Sequence, residues 1–206
     1  DAIRSRGLGD VYKRQVEIFG SDSSEIEILD LLLESLDLVG LTSSCLSLGR
    51  TEVLDEIIKD ENLPELKEKK LREIISDKSE SNLIEWSDSN KVDKKSLGKI
   101  ITLMHSYGDI QCLEKISSFS KLAKNSVENL KAITEKISHE NIHIDMTDFP
   151  GFNYHQGLVF SVHSQNFGFA IANGGQYSYQ KNSEEKRSAI GFDIDLISLL
   201  NIKEND

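Results

Sequence analysis

The sharpest chemical pattern in the chain is His139-Glu140-Asn141-Ile142-His143, a formal HExxH. A zinc protease needs both histidines on one helix face, with the glutamate as general base. Here His143 opens an alternating run, His143-Ile144-Asp145-Met146, and Asn141 breaks the helix before it. The two imidazoles are then expected to point apart, and no HxxGxxH follows. The plainer reading is a helix end with a histidine at its C-terminus, where the helix dipole favours it. Gly174-Gly175 is followed by no GK[ST], so it reads as a turn or bulge after a strand, not as a phosphate loop. No Ser, His and Asp set has the spacing of a nucleophile elbow. His155, beside Tyr154, falls in a turn between strands, where both side chains could line a pocket above the sheet. The residues therefore predict no catalytic group, no metal ligand and no cofactor.

Composition narrows the class. A chain of 206 residues is long enough for one real core. Its net charge of −11 is spread along the helical segments, which disfavours the basic face that a nucleic-acid footprint needs. Cys45 and Cys112 are far apart and form no CxxC, which fits reduced thiols in a cytoplasmic protein. No apolar run approaches the roughly 20 residues that cross a bilayer, so no membrane partner is expected.

The elements that must position any site come next. The first fifteen residues, DAIRSRGLGDVYKRQ, hold Arg4, Arg6 and Arg14 and show no apolar periodicity. They read as non-native read-through fused to a truncated reading frame, so the domain is expected over residues 16–206. Val16 to Gly20 is a short strand. Ser21 to Ser24 offers caps for a helix whose stripe is Ile26, Ile28, Leu29, Leu32, Leu33 and Leu36, with Gly40 as its C′ residue. Leu46 and Leu48 mark a strand, Thr51 caps the helix Glu52 to Lys59, and Pro64 opens another. A helical block at about 77–138 is read as an insert lying over the sheet. Its helices are expected around Leu83 to Trp86, Lys94 to His105, Ile110 to Leu122 and Val127 to Ile137. Three adjacent antiparallel strands then follow at Ile142 to Met146, Leu158 to His163 and Gly168 to Asn173, separated by Pro150-Gly151 and Gln165-Asn166. A strand at Ala189 to Ile194 runs into a helix at Leu196 to Leu200. The fold class is α+β, an antiparallel sheet covered by helices.

With the strands laid out, the sequence resembles the histidyl-tRNA synthetase family and its non-catalytic paralogue, the regulatory subunit of ATP phosphoribosyltransferase. Val16-Glu17-Ile18-Phe19-Gly20 looks like the end of the second class II motif, and the helix and strand through Ser47-Leu48-Gly49 follow as in the family. Pro150 to Phe160 (PGFNYHQGLVF) resembles the RG-x-x-YYTG-x-VF segment, with Tyr154-His155 where the synthetases have Tyr-Tyr. Gly174-Gly175-Gln176-Tyr177 resembles GGRY, and Ala189-Ile190-Gly191-Phe192 resembles the opening of the third motif. The match runs through nearly all of Val16 to Ile202.

The resemblance implies a partial class II synthetase-like core. It also implies a histidine site in which Glu17 holds the α-amino group while Tyr154, His155 and Tyr177 line the imidazole side. The departures decide between the two branches. The third-motif arginine aligns with Ser198, Asp195 replaces a glycine, and Pro150 and Gln176 stand where the family has arginines. An adenylating site must offset triphosphate charge with cations. The resemblance therefore implies a regulatory subunit in the first step of histidine biosynthesis. Its implied partner is the short catalytic subunit and its effector is L-histidine; a homodimer within a hetero-oligomer is the implied assembly. A divergent histidyl-tRNA synthetase is the alternative.

Overall fold

The computed structural model describes residues 13–20, 24–41, 43–148, 155–165, 167–182 and 185–203. Among them are seven strands and seven α-helices. The strands are β1 (Lys13–Phe19), β2 (Cys45–Arg50), β3 (Tyr107–Gly108), β4 (Ile142–Asp145), β5 (His155–His163), β6 (Ala172–Asn182) and β7 (Glu185–Asp195). The helices are α1 (Ser24–Leu38), α2 (Glu52–Asp60), α3 (Glu65–Ser76), α4 (Glu80–Asn90), α5 (Lys94–Met104), α6 (Lys121–Lys136) and α7 (Leu196–Lys203).

The strands form one sheet in the order β1-β7-β6-β5-β2-β4-β3. Every pairing is antiparallel except β2 with β4, which is parallel. This corrects two expectations. The run at Ile142 does not neighbour the run at Leu158, because β2 lies between them. The third run begins at Ala172 and continues through Gly174-Gly175, which are paired mid-strand residues and not a turn. The parallel pair also accounts for the helices that precede it. Parallel neighbours cannot be joined by a hairpin and need a long crossover, and residues 51–141 supply it.

Strand alternation gives the sheet two unlike faces. Val16, Phe192, Gly174, Phe160, Leu48 and Ile144 lie opposite one another in one row. With Leu46, Val162, Ala172 and Ile190 they make an apolar face, buried beneath helices except at Val16, which is 38% exposed. Helix α1 packs against β1 and β7, and α6 against β2. Ile28, Leu29, Leu32 and Leu36 of α1 are fully buried, as their helical spacing predicts. The helix ends where expected. Gly40 takes φ 80°, its N–H donates to Asp37 O at 2.8 Å, and Leu41 N–H donates to Leu36 O at 3.0 Å.

A buried cation ties the helices to the sheet. Arg50, 5% exposed at the end of β2, reaches both Glu25 carboxylate oxygens at 2.7 Å and Glu52 Oε1 at 3.1 Å. Glu52 Oε1 also accepts from Ser126 Oγ at 2.8 Å, so α1, α2 and α6 converge on one guanidinium.

Other local expectations are refined. Strand β1 starts at Lys13, so the boundary drawn after residue 15 falls inside it. The single helix expected from Ile110 to Leu122 is two 3₁₀ turns, Ile110–Leu113 and Ile116–Ser118, followed by α6. Ser120 is the reason, because its hydroxyl accepts from Ala123 N–H at 3.0 Å and starts the new helix there. Thr51 does not cap α2 with its side chain; its hydroxyl accepts from Gly157 N–H at 3.1 Å and fastens β5 instead.

Gly174 is a steric requirement. A Cβ there would meet the Phe160 ring and would lie 2.5 Å from the Gly191 carbonyl oxygen. Gly174→Ala should therefore destabilise the fold by about 1–3 kcal/mol through overpacking, whereas Gly168→Ala, with open space around it, should be near neutral. Urea unfolding of the two variants measures the difference, and equal midpoints would contradict the packing argument.

Candidate functional site

The second face of the sheet is built differently. Glu17, Gly191, Gly175, Val159 and Gly49 form one row across five strands. The next row is Gln15, Asp193, Asn173, Ser161, Ser47 and His143. Small and polar residues thus replace the branched apolar residues of the opposite face. Three glycines make this row a side-chain-poor trough; all three are buried, and a Cβ at Gly49 would meet the Asp145 carbonyl oxygen, so the chain's own backbone packs closely there.

Glu17 stands at one end of this trough and is exposed. Its position depends on Gly191, since a Cβ at 191 would lie 2.9 Å from Glu17 Cγ. Tyr177 is half-buried in β6 and projects from the same face, two positions along from Gly175. His155 pairs with Tyr177 across β5 and β6, and a register shift between His155 and Val159 interrupts the ladder there. The fold thus brings the Glu17, Tyr177 and His155 backbones to one end of this face, within a span of about 16 Å at the spacing of sheet neighbours. Tyr154, Pro150 and the segment between them lie outside the described residues.

The sequence reading missed several polar residues of this face. Ser161, 2% exposed, lies between His163 Nε2 at 2.9 Å and Asp148 Oδ2 at 3.2 Å. The carboxylate meets the hydroxyl, whereas a hydrolase relay places it on the imidazole. The cluster therefore reads as a structural bond set. Asp193 is also buried on this face, with Lys13 Nζ at 3.0 Å. The alternation of Asn173, Gly175 and Tyr177 in β6 was the available signal for such positions, and it was hidden by reading Gly174-Gly175 as a turn.

Asp195 and Ser198 have definite structural tasks. Asp195 Oδ1 accepts from Ile197 N–H at 3.0 Å and Ser198 N–H at 3.4 Å, so it caps the start of α7. Ser198 is 6% exposed within that helix. A carboxylate and a buried hydroxyl thus occupy the places where the resemblance calls for a glycine and an arginine. The HExxH residues are not on a helix. His139 lies in the connection before β4, with Nε2 3.1 Å from Ser44 O, and His143 is in β4 opposite Ser47.

A family model described as histidyl-tRNA synthetase matches residues 9–199. The chain belongs to the histidyl-tRNA synthetase family. Among curated proteins it is similar to the ATP phosphoribosyltransferase regulatory subunit of Saccharophagus degradans, 27% identical over 195 residues, covering 89% of this chain and 50% of the relative. The Clostridium kluyveri protein of the same name is 26% identical over 208 residues, covering 96% of this chain and 53% of its own length. The chain therefore spans about half the length of the curated relatives it matches. Two solved structures share the fold. One is an ATP phosphoribosyltransferase regulatory subunit/histidyl-tRNA synthetase from Bacillus halodurans, with TM-score 0.76 and 19% identity, covering 92% of this chain and 52% of that one. The other is an ATP phosphoribosyl transferase (HisG:HisZ) complex from Thermotoga maritima, with TM-score 0.69 and 18% identity, covering 89% and 65%. The class II synthetase-like core is thus the fold of this family member, its sheet antiparallel but for the β2–β4 pair. No helix among the described residues is long and apolar enough to cross a membrane.

The thiols near this face are held protonated. Burial pushes the Cys112 thiol up to about 11, with Asp109 and Asp145 adding to the effect, and burial also raises Cys45. The thiolate is the reactive form. At pH 7.5 Cys112 should be alkylated about 100-fold more slowly in the folded protein than in urea. Time-resolved iodoacetamide labelling read by peptide mass would show this, and equal rates would place Cys112 in a different environment.

Proposed function

We propose that the chain is part of a non-catalytic regulatory subunit of ATP phosphoribosyltransferase, with L-histidine as effector in the trough beside Glu17. The observation that carries this reading is the capped start of α7. Asp195 and Ser198 fill a corner where adenylation would require positive charge, while the carboxylate of Glu17 remains exposed beside the glycine floor. The names of the curated relatives point the same way.

In this reading Glu17 pairs with the α-ammonium group, and such charge-assisted bonds are the stronger kind. Gly175 and Gly191 let the amino acid lie against the backbone. Tyr177, with Tyr154 and His155, borders the imidazole. The partner is the short catalytic subunit, with homodimers inside a hetero-oligomer, in the cytoplasm. Histidine must bind the active and inhibited states of that assembly unequally, because equal affinity would shift nothing.

The test mixes the full-length protein with the short catalytic subunit of the same genome and follows phosphoribosyl-ATP formation with and without histidine. Activation that histidine suppresses is expected. Glu17→Ala should raise the half-inhibitory histidine concentration by about 10-fold or more, since it removes a charge-assisted bond of about 1.5–3 kcal/mol, and Tyr177→Ala should raise it less. Unchanged inhibition in both variants would discard this pocket. Histidine-dependent ATP–pyrophosphate exchange would instead establish the second reading, a divergent synthetase, the activity in the family model's description.

A further inference from the structure

Thr51 stands where β2 becomes α2, and its backbone serves both elements. Its N–H donates to Gly157 O at 3.0 Å, which carries the β2–β5 ladder one pair beyond Arg50 and Leu158. An antiparallel pair of this kind exchanges two bonds, one N–H to carbonyl in each direction. With φ −76° and ψ −31°, however, Thr51 is already helical, and its carbonyl oxygen accepts from Asp55 N–H at 3.0 Å. The return bond therefore closes on the hydroxyl, and Gly157 N–H donates to Thr51 Oγ1 at 3.1 Å. Thr51 is 4% exposed. Its hydroxyl is also hydrogen-bonded to the Asp55 carboxylate, which accepts from Arg72 Nη2 at 2.7 Å. A carboxylate can only accept, so the hydroxyl proton goes to Asp55 and an oxygen lone pair is left for Gly157.

Gly157 is the point where β5 departs from β6. Val159 pairs with Gly175 and His155 with Tyr177, so four steps along β5 answer two along β6. The excess is folded into β5 between those pairs as a bulge. Gly157 lies at its centre with φ 111°, a conformation that favours glycine. On the β6 side the bulge rests on Gln176, whose side-chain oxygen would overlap a Cβ at position 157. On the β2 side the two Thr51 bonds hold it.

The bulge decides what faces Tyr177. If the Val159–Gly175 register ran on unbroken, Gly157 would lie opposite Tyr177 and His155 would pass beyond it. With the bulge in place, His155 is the residue opposite Tyr177. The path from Thr51 to the site is thus short: two hydrogen bonds to Gly157, then two residues of β5 to His155. We infer that Thr51 is a positioning residue, whose hydroxyl holds the β5 bulge and with it His155 opposite Tyr177, on the imidazole side of the ligand site. The inference rests on the histidine-site reading above.

The test uses the full-length protein with Thr51→Val, which keeps the side-chain shape and the backbone bond but removes the hydroxyl, and Thr51→Ser as the conservative variant. Histidine binding to the unaltered protein is measured first by calorimetry; no binding would sink the site reading and with it the positioning role. Hydrogen exchange judges the bulge without any ligand. Thr51→Val should speed exchange at Gly157 by about 10-fold while β7 and α1 stay protected, and it should raise the histidine Kd about 5-fold or more. Thr51→Ser should restore both readouts. Combination with the site variants tells positioning from general loosening, because residues that act together are not additive. Thr51→Val should raise the Kd as much in a Glu17→Ala background as in the unaltered protein, and much less in a Tyr177→Ala background. Unchanged exchange at Gly157 would overturn the bracket. Faster exchange with unchanged histidine affinity, or the same loss of affinity in all three backgrounds, would leave Thr51 a structural residue and overturn its positioning role.

Discussion

A sheet has two faces, and each strand must serve both with alternate residues. That constraint governs this protein. Phe160, Leu48 and Phe192 commit one face to the helices, so the residues between them are free to be small or polar. Gly49, Gly175 and Gly191, all buried, use that freedom to leave out a side chain, and Ser47, Ser161 and Asn173 use it to place hydrogen-bonding groups. A one-residue slip would exchange the two sets. The packing of Phe160 over Gly174 holds the β5–β6 register and so protects the trough as much as the core.

The parallel pairing of β2 with β4 is the second organising fact. It obliges the chain to make a long crossover between Arg50 and Ile142, which touches the sheet only through the two-residue strand β3 among the described residues. The helices in that span are anchored by charge at two points on opposite faces. Arg50 gathers Glu25 and Glu52 beneath the apolar face, and Asp145 receives Lys78 on the other. Both anchors lie at or beside the carboxyl ends of the parallel strands. The sheet edge and the helical block are therefore joined by polar contacts as well as by the shared core.

Much of this was legible in local pattern. The stripe of α1, its stop at Gly40 and the acidic first turn all follow from spacing within one helix. The proposed site residues Glu17 and Tyr177 were reached through motif resemblance, and strand alternation then places both on one face. Three things were not legible. The insertion of β2 between β4 and β5 is a long-range pairing that leaves no periodic trace. Gly174-Gly175 looks like a turn because nothing local announces the Phe160 ring. Lys78 looks like one more solvated lysine, since its partner lies 67 residues along the chain.

The pairing of β1 with β7 joins the first and last described strands, with Lys13 opposite Asp195 and Phe19 opposite Ala189. The entry to β1 and the exit from β7 therefore lie side by side. Force applied across those two points loads the ladder bonds one after another, as in a zipper, and never all together in shear. An unfoldase pulling against that geometry would meet little mechanical resistance at this edge. The strand that carries Glu17 would peel away first, while the β5–β6–β7 ladders were still intact.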